Sequence, residues 1–138
     1  MAFWLVKSEP ETWSWQAQVN RGAAGEPWDG VRNHQANNNL KAMAVGDRAF
    51  FYHSGEERRI VGIVEVIKPW WPDPKDETGK FGMVRVKAVA KLPTPVTLAA
   101  IKAEPDLADL LLVRHSRLSV MPVAEPQWRL ICRMGSMA

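Results

Sequence analysis

The sequence predicts one α+β domain, with strands at its centre that form a closed barrel or a sheet packed between layers. Its length of 138 residues suits a single domain. Three strand patterns follow one another between residues 47 and 92, and patterns of helical spacing lie on either side of them. The sequence shows no repeat, low-complexity tract or linker, so we expect residues 1–138 to form this one domain.

The first elements are a strand and two short helices. "FWLVK" (3–7) is an apolar run stopped by Ser-Glu-Pro, which predicts a buried strand and a turn. "ETWSWQAQVNRG" (11–22) predicts a short helix with Thr12 as its N-cap. Residues 22–30 are typical of a loop, and Asn33 is placed to cap a second helix that reaches about Met43.

The centre of the chain carries the strongest strand signal. "DRAFFYHSG" (47–55) and "RRIVGIVEVIKPW" (58–70) are joined by "SGEE", which indicates a hairpin. Alternation with a period of two sends Phe51 to one face of the first strand and Phe50 to the other. Because both faces are apolar, this strand needs cover on both sides.

The remaining segments alternate between loop, strand and helix. "PWWPDPKDETG" (69–79) predicts a loop, and "KFGMVRVKAVAKL" (80–92) predicts a strand. "TLAAIKAEPDLADLLLV" (97–113) predicts helix broken at its proline, and "RHSRLSVMPV" (114–123) predicts extended chain. "AEPQWRLICRMG" (124–135) predicts a closing helix.

Composition bounds the class of protein. A net charge of +3 permits a polyanionic partner without requiring one. One cysteine, Cys132, cannot form an internal disulfide or a cysteine metal cluster, and its apolar helical surroundings predict a buried, inert thiol. No apolar run approaches the ~18 residues that span a bilayer, so we expect no membrane partner. The composition suits a reducing compartment and the first residues lack signal-peptide features, which predicts a cytoplasmic protein.

The motifs of common enzymes are missing from the sequence. Its three histidines, His34, His53 and His115, form no i, i+4 pair, and there is no GxSxG, P-loop or GxGxxG pattern. We therefore expect no metal, no cofactor and no catalysis. A serine nucleophile stays open as an alternative, because the partners of a triad lie far apart in a chain.

"WDGVRN" (28–33) combines side chains that suit a flat, hydrogen-bonding ligand. Trp28 offers a π-face and Asp29 an acceptor for an exocyclic amine. Gly30 allows close approach of the backbone, and Arg32 adds a planar cation. The alternative is structural: the tryptophan plugs the core, the next two residues turn the chain, and the arginine forms a salt bridge.

Two further stretches carry polar groups with the same two interpretations. In "KSEP", Lys7 can meet a phosphate while Ser8 and Glu9 contact base edges, or the serine can simply cap a helix. In "RHSRLS", Arg114 and Arg117 can contact phosphates, or they can be solvated surface charges.

Other polar and aromatic residues are weaker candidates. Asn39 lies four residues after Gln35 on the predicted helix, where its amide can read a base or position a loop. His53 shares a face with an aromatic residue and is expected to be a satisfied core histidine. Either Trp70 or Trp71 is expected to fold back over the barrel, although stacking on a neighbouring base is the alternative.

Together, "FWLVKSEPETWSW", "WDGVRNHQANNNLKAMAVGDRAFFYHSG", "IVGIVEV", "PDP" and "LLVRHSRLSVMPV" resemble the EVE domain family from residue 3 to about residue 131. The resemblance implies a PUA-like fold, a small curved or closed β-barrel flanked by helices. It also implies kinship with YTH-type readers of methyladenosine. The function it implies is non-catalytic recognition of a methylated or hydroxymethylated base in DNA or RNA.

By this likeness "KSEP" and "WDGVRN" form adjacent walls of one pocket and "SRLS" a third. The residues expected at the base are Lys7, Ser8, Glu9, Trp28, Asp29, Gly30, Arg32, Asn33, Asn39, Tyr52, Ser54, Leu118 and Ser119. Those expected at flanking phosphates are Lys7, Arg32, Arg114 and Arg117. The indole of Trp28, helped by Tyr52, would cover the base, and two acids at its edge, Glu9 and Asp29, favour cytosine or adenine over uracil.

Three alternatives stay open at this point. The same pocket can bind a free nucleoside or another planar metabolite, the protein can be an enzyme acting on a modified base, or exposed tryptophans can bind protein partners. Binding of a free nucleoside should depend little on salt, whereas nucleic-acid binding should weaken as salt rises, and an enzyme would form a product.

For the oligomeric state we expect a monomer.

Overall fold

The computed structural model describes residues 1–137, which form one six-stranded sheet and five α-helices. The strands are β1 (Phe3–Ser8), β2 (Glu26–Trp28), β3 (Arg48–His53), β4 (Arg59–Pro72), β5 (Gly82–Thr97) and β6 (Val120–Val123). The α-helices are α1 (Trp15–Asn20), α2 (His34–Ala42), α3 (Leu98–Lys102), α4 (Leu111–Arg114) and α5 (Glu125–Met134). Two short 3-10 helices span Gly22–Ala24 and Pro105–Leu107.

The sheet has the order β2-β5-β4-β3-β1-β6. Strand β1 runs parallel to β3 and antiparallel to β6, and the other neighbouring pairs are antiparallel. Register shifts interrupt both the β3–β4 and the β4–β5 ladders, and such bulges increase the twist and bend of long strands. The sheet is therefore a curled half-barrel with β2 and β6 at its edges, and the predicted α+β class with a curved sheet is confirmed.

Strand β3 is covered on both faces, as its sequence predicts. Every residue from Ala49 to His53 is buried. Phe50 stacks on Trp128 of α5, with ring centroids 3.9 Å apart, whereas Phe51 meets the edge of Trp15 of α1 at 5.5 Å. Helices α5 and α1 thus cover opposite faces of the central strand.

A buried carboxylate fixes the start of β1 against the start of β3. Asp47 accepts hydrogen bonds from the indole N–H of Trp4 (3.0 Å) and from the backbone N–H groups of Ala2 (3.1 Å) and Ala44 (3.0 Å). Burial acts to raise the pKa of this carboxyl, but the hydrogen bonds outweigh it and the pKa lies below its ordinary value. Asp47 is therefore ionised and satisfied inside the fold.

Helix α2 begins as predicted and is docked on the sheet by one amide. Asn33 caps it, accepting from the N–H of Ala36 at 2.9 Å. The buried Asn37 accepts from the Trp70 indole at 2.9 Å and from the N–H of Gly82 at 3.0 Å. Trp70 consequently folds back onto the sheet, as predicted for one tryptophan of this pair.

Three segments differ from the sequence prediction in the first half of the chain. Helix α1 is capped by Ser14 and not by Thr12, because the N–H groups of Thr12 and Trp13 both donate to the carbonyl of Glu9 and form a turn. The predicted loop over residues 22–30 contains β2, an edge strand that forms by pairing with β5. Residues 69–72 continue β4 beyond the predicted start of the loop.

The second half shows two more differences. Strand β5 continues through Pro93 and Pro95, because these prolines fall in the register gap between its pairs with β4 at Lys91 and Val96, where the ladder needs no donor. Residues 114–119 are not extended, since Arg114 ends α4 and only residues 120–123 form a strand. The closing helix α5 and the intervening break near Pro105 match the prediction.

Two sequence expectations concern single features. The Cys132 thiol is half-buried, and burial raises its pKa, which agrees with an inert thiol. Within residues 1–137, none of the helices has the length and apolar character needed to cross a membrane.

Candidate functional site

A cavity of about 730 Å³ opens at one end of the sheet, where β1 and β3 terminate. This volume lies within the range of roughly 300–1,000 Å³ that is typical of ligand pockets. The structure brings together eleven of the residues predicted for the site. They are Lys7, Ser8, Glu9, Trp28, Asp29, Gly30, Arg32, Asn33, Ser54, Arg117 and Ser119.

The parallel pairing of β1 and β3 explains why distant segments meet here. Ser8 pairs with His53, and the N–H of Ser54 donates to the carbonyl of Ser8 at 3.0 Å. On the other side of β1, the N–H of Lys7 donates to the carbonyl of Ser119 at 2.9 Å. Three chain segments therefore leave the sheet side by side, with their side chains at one opening.

Tryptophans form the aromatic part of the lining. Trp28 is 7% exposed and packs edge-on against Phe51, with centroids 5.4 Å apart and planes at 90°, yet it also lines the cavity. The indole is thus part of the core, as the structural interpretation expects, and also a fixed wall of the cavity, while its contact with a base stays a prediction. Trp13 is a second lining indole that the sequence analysis missed, and its N–H donates to Gln18 Oε1 at 2.9 Å.

The "WDGVRN" segment is held from behind by a buried acid that the sequence analysis also missed. Asp73, between β4 and β5, is only 1% exposed. Its carboxylate accepts from the N–H of Gly30 at 3.1 Å, from the guanidinium of Arg32 at 3.2 Å and from the N–H of Lys75 at 2.9 Å. Burial acts to raise the pKa of Asp73, but these donors keep the pKa below its ordinary value.

The two acids predicted at the base edge have different surroundings. The carboxylate of Asp29 accepts from the ammonium of Lys75 at 2.9 Å, and the side chains are 42% and 72% exposed. The hydrogen bond to Asp29 and the negative charge of Asp29 raise the pKa of Lys75. Glu9 is exposed at the cavity, and its backbone carbonyl holds the turn that follows β1. Asp29 therefore already has a cationic partner, whereas Glu9 is exposed at the opening.

The cations at the cavity are only partly free. Lys7 is half-buried and donates to the carbonyl of Ser116 at 2.9 Å, and burial lowers its pKa. Arg32 is bound to Asp73, whereas Arg117 is exposed. Four Lys or Arg residues and three Asp or Glu residues line the cavity, so its charge is mixed.

Four predicted site residues do not reach this cavity. The amide of Asn39 donates to the carbonyl of Val120 at 2.7 Å, which gives it a structural partner. Tyr52 and Leu118 are buried at 3% and 4% exposure in the hydrophobic core. Arg114 bonds the carbonyl of Ala108 and the carboxylate of Asp109 at the end of α4.

His53 has the core position that the sequence predicts. Its Nε2 accepts from the N–H of Trp15 at 3.0 Å, which places the proton on Nδ1, facing the carboxylate of Glu57 at 2.9 Å. Both ring nitrogens are therefore engaged. Across residues 1–137, no group of three or more His, Cys, Asp or Glu side chains is arranged to hold a metal ion.

Comparison with known proteins shows close relatives. Thymocyte nuclear protein 1 from Homo sapiens is 30% identical to this chain in an alignment 162 residues long, which covers 91% of this chain and 70% of that protein. An NMR structure of a Rhodopseudomonas palustris protein has a TM-score of 0.94 and 59% identity, covering 99% of this chain and 94% of its own. A crystal structure of human THYN1 protein in complex with 5-methylcytosine-containing DNA has a TM-score of 0.91 and 29% identity, covering 100% and 99%.

The cytoplasmic location predicted from the sequence is contradicted by these relatives. Thymocyte nuclear protein 1 is by its name a nuclear protein. The prediction was wrong because it rested on a composition suited to reducing conditions, and the cytosol and the nucleus share those conditions.

The family model of the EVE domain matches residues 2–134, nearly the whole chain. The fold agrees with it, because the curled sheet flanked by helices superimposes along its full length on solved members of this group. The resemblance seen in the sequence motifs is confirmed. The chain belongs to the EVE domain family.

Proposed function

We propose that this protein binds a methylated or hydroxymethylated base of DNA in the cavity between β1, β3 and the "WDGVRN" segment, and that it does so without chemical turnover. The observation that carries the proposal is the cavity itself, where the Trp28 indole lies beside Ser8 and Asp29. The complex of human THYN1 with 5-methylcytosine-containing DNA supports the choice of ligand. We also propose that the domain acts as a monomer.

Aromatic contact supplies the first part of the binding energy. A base that enters the cavity must leave its stack at a cost of a few kcal/mol. Contact with an aromatic side chain returns about 1–3 kcal/mol per base. Trp28 suits this role because Phe51 fixes the plane of its ring, so the contact requires no ordering of the side chain.

Polar groups at the opening supply the choice of base. The carboxylates of Asp29 and Glu9 accept hydrogen bonds, and the hydroxyl of Ser8 can donate or accept. Acceptors of this kind match the exocyclic amine of cytosine or adenine. An added methyl group contributes about 0.8 kcal/mol when it is buried, which gives only severalfold preference for the modified base.

We assign contact with the flanking phosphates to cations around the cavity. Arg117 is exposed at the rim, and Lys7 and Lys75 lie close to the same opening. Each phosphate contact changes the slope of log affinity against log salt by about −0.9 for duplex DNA and about −0.7 for a single strand. Salt dependence therefore reports how many of these cations contact DNA.

The absence of turnover is part of the proposal. Support comes from the cavity lining, to which none of the histidines within residues 1–137 contributes a general base. Prolonged incubation with modified oligonucleotide followed by mass spectrometry tests it directly. A product of changed mass would refute it.

One observation favours a free nucleoside as a second candidate ligand. The cavity lining carries four cations against three carboxylates, a modest excess for a polyanionic partner. Nucleoside affinity is expected to change little with ionic strength, because the nucleoside has no phosphate.

The deciding experiment compares matched oligonucleotides, plain and methylated or hydroxymethylated, by fluorescence anisotropy at two salt concentrations. We expect the modified DNA to bind severalfold more tightly, with both affinities falling steeply as salt rises. The same sequences as RNA identify the preferred nucleic acid. Equal affinity for plain and modified strands would refute the proposal, and salt-independent binding of the nucleoside alone would favour the second candidate.

A further inference from the structure

We propose that Asp73 is the positioning residue of the base-binding cavity, and that its carboxylate sets the preference for a modified base although it does not line the cavity. This inference rests on the function proposed above. It concerns a residue that lies behind the site, between the strands β4 and β5.

The geometry of Asp73 joins two loops that the sequence keeps far apart. One carboxylate oxygen accepts from the N–H of Gly30 at 3.1 Å and from the guanidinium of Arg32 at 3.2 Å, both about forty residues away in the chain. The other oxygen accepts from the N–H of Lys75 at 2.9 Å. The backbone N–H of Asp73 donates in turn to the carbonyl of Phe81 at 3.0 Å.

These contacts set the positions of three cavity residues. Gly30 has a φ of +77°, and its bond to Asp73 holds the turn that orients the preceding Asp29. Asp73 holds Arg32 through the guanidinium and Lys75 through its backbone N–H. The ammonium of Lys75 in turn donates to the carboxylate of Asp29 at 2.9 Å. Asp29, Arg32 and Lys75 thus form a charged rim whose geometry depends on one buried carboxylate.

Removal of the Asp73 charge has opposite effects on binding of the modified base in the cavity and on sequence-independent binding of phosphates. The rim loses its fixed geometry, so the base is no longer held at the position where its added methyl group is buried, and the preference for the modified base is lost. At the same time Arg32 loses its anionic partner and the protein gains net positive charge, which favours phosphates of any sequence. A variant that is merely destabilised would instead bind plain and modified DNA more weakly by the same factor.

The test uses Asp73→Asn in the full chain, with Asp76→Asn as the matched control. Asp76 lies in the same loop and carries the same charge, but its carboxylate accepts from Thr78 and Phe81 and has no bond to Gly30 or Arg32. Affinities for plain and methylcytosine-containing oligonucleotides are measured by anisotropy, and folding is checked by thermal unfolding. We expect the ratio of modified to plain affinity to fall to about one in Asp73→Asn, while plain DNA binds as tightly as to the wild type or more tightly. Asp76→Asn should keep the wild-type ratio.

Two results would overturn the inference. A folded Asp73→Asn variant with the wild-type ratio would do so, and so would an equal loss of affinity for both strands. A wild-type protein without any preference would instead refute the proposed function. Should the variant fail to fold, hydrogen exchange in the wild type decides: the Gly30 amide should exchange slowly despite its loop position, and exchange at the rate of an unstructured amide would overturn the inference.

Discussion

Replacing Trp28 by alanine removes one of two indoles, Trp13 and Trp28, that line the cavity. The indole is 7% exposed and packs against Phe51, so the substitution leaves a void in the core as well as in the site. We expect the free energy of unfolding to fall by about 3–5 kcal/mol, the usual cost of truncating a buried tryptophan. Loss of base stacking removes another 1–3 kcal/mol or so from binding, which corresponds to roughly 5- to 150-fold weaker affinity for modified DNA.

The two effects are separated by measuring each directly. Urea unfolding reports the stability, and anisotropy with modified and plain oligonucleotides, at a temperature where the variant is folded, reports the affinity. Trp71→Ala is the control, because Trp71 is a half-buried tryptophan that contacts Lys68 at 4.0 Å from its ring centroid and lies outside the cavity lining. It should leave the preference for modified DNA intact. A folded Trp28→Ala protein that keeps both the affinity and the preference would refute our placement of the base.

Three further predictions concern single residues. Arg117→Ala removes an exposed cation at the rim, so plain and modified DNA should bind more weakly by the same factor, and the salt slope should shrink by about 0.7–0.9; an unchanged slope would exclude a phosphate contact. Asp47 has a pKa below its ordinary value, so its contribution to stability is complete above the unfolded-state pKa of about 3.9 and is lost as the pH falls through the folded-state pKa. Urea unfolding between pH 2 and 6 should show this loss, and Asp47→Asn should make it shallower; an equally steep fall in the variant would contradict the role of this carboxyl. Gly62→Ala would place a Cβ about 2.5 Å from the Trp15 ring, so the melting temperature should drop with a cost of roughly 1–3 kcal/mol, and an unchanged melting temperature would show that the ring can move aside.

The parts of the fold that were predictable from sequence are those fixed by local patterns. Helix α5 has a proline in its first turn, and its periodic apolar residues include the buried Trp128 and Ile131. Strand β3 shows apolar residues on both faces, and the structure covers both. The Asn33 cap lies next to the helix that it starts. In each case the signal and the structure occupy the same few residues.

The elements that the sequence did not predict depend on distant partners. Strand β2 is three residues long and contains Pro27, and it is a strand only because it pairs with β5. The donors that Asp73 holds at Gly30 and Arg32 are supplied by a different loop, so nothing in the local "PDP" pattern indicates them. Periodicity treats residues 11–22 as one helix and hides the turn that sends Trp13 towards the cavity.

The site was predictable as a set of segments more than as a set of side chains. "KSEP" and the serine that ends "SRLS" meet because β1 pairs with β6. "WDGVRN" follows β2 at the opposite edge of the sheet and reaches the same opening because the sheet is curled. Within these segments, the sequence could not show that Leu118 points into the core. It also could not show that Asn39 already has a backbone partner. Those outcomes depend on which face each residue presents after folding.

A crystal structure of this protein with an oligonucleotide that contains one methylcytosine would show where the base binds. We predict that the modified base leaves the duplex stack and lies in the cavity, with its ring against Trp28 and its amine within hydrogen-bond distance of Asp29 or Glu9. A complex in which the base stays stacked, or in which DNA occupies another surface and leaves this cavity empty, would contradict the proposed binding of the base.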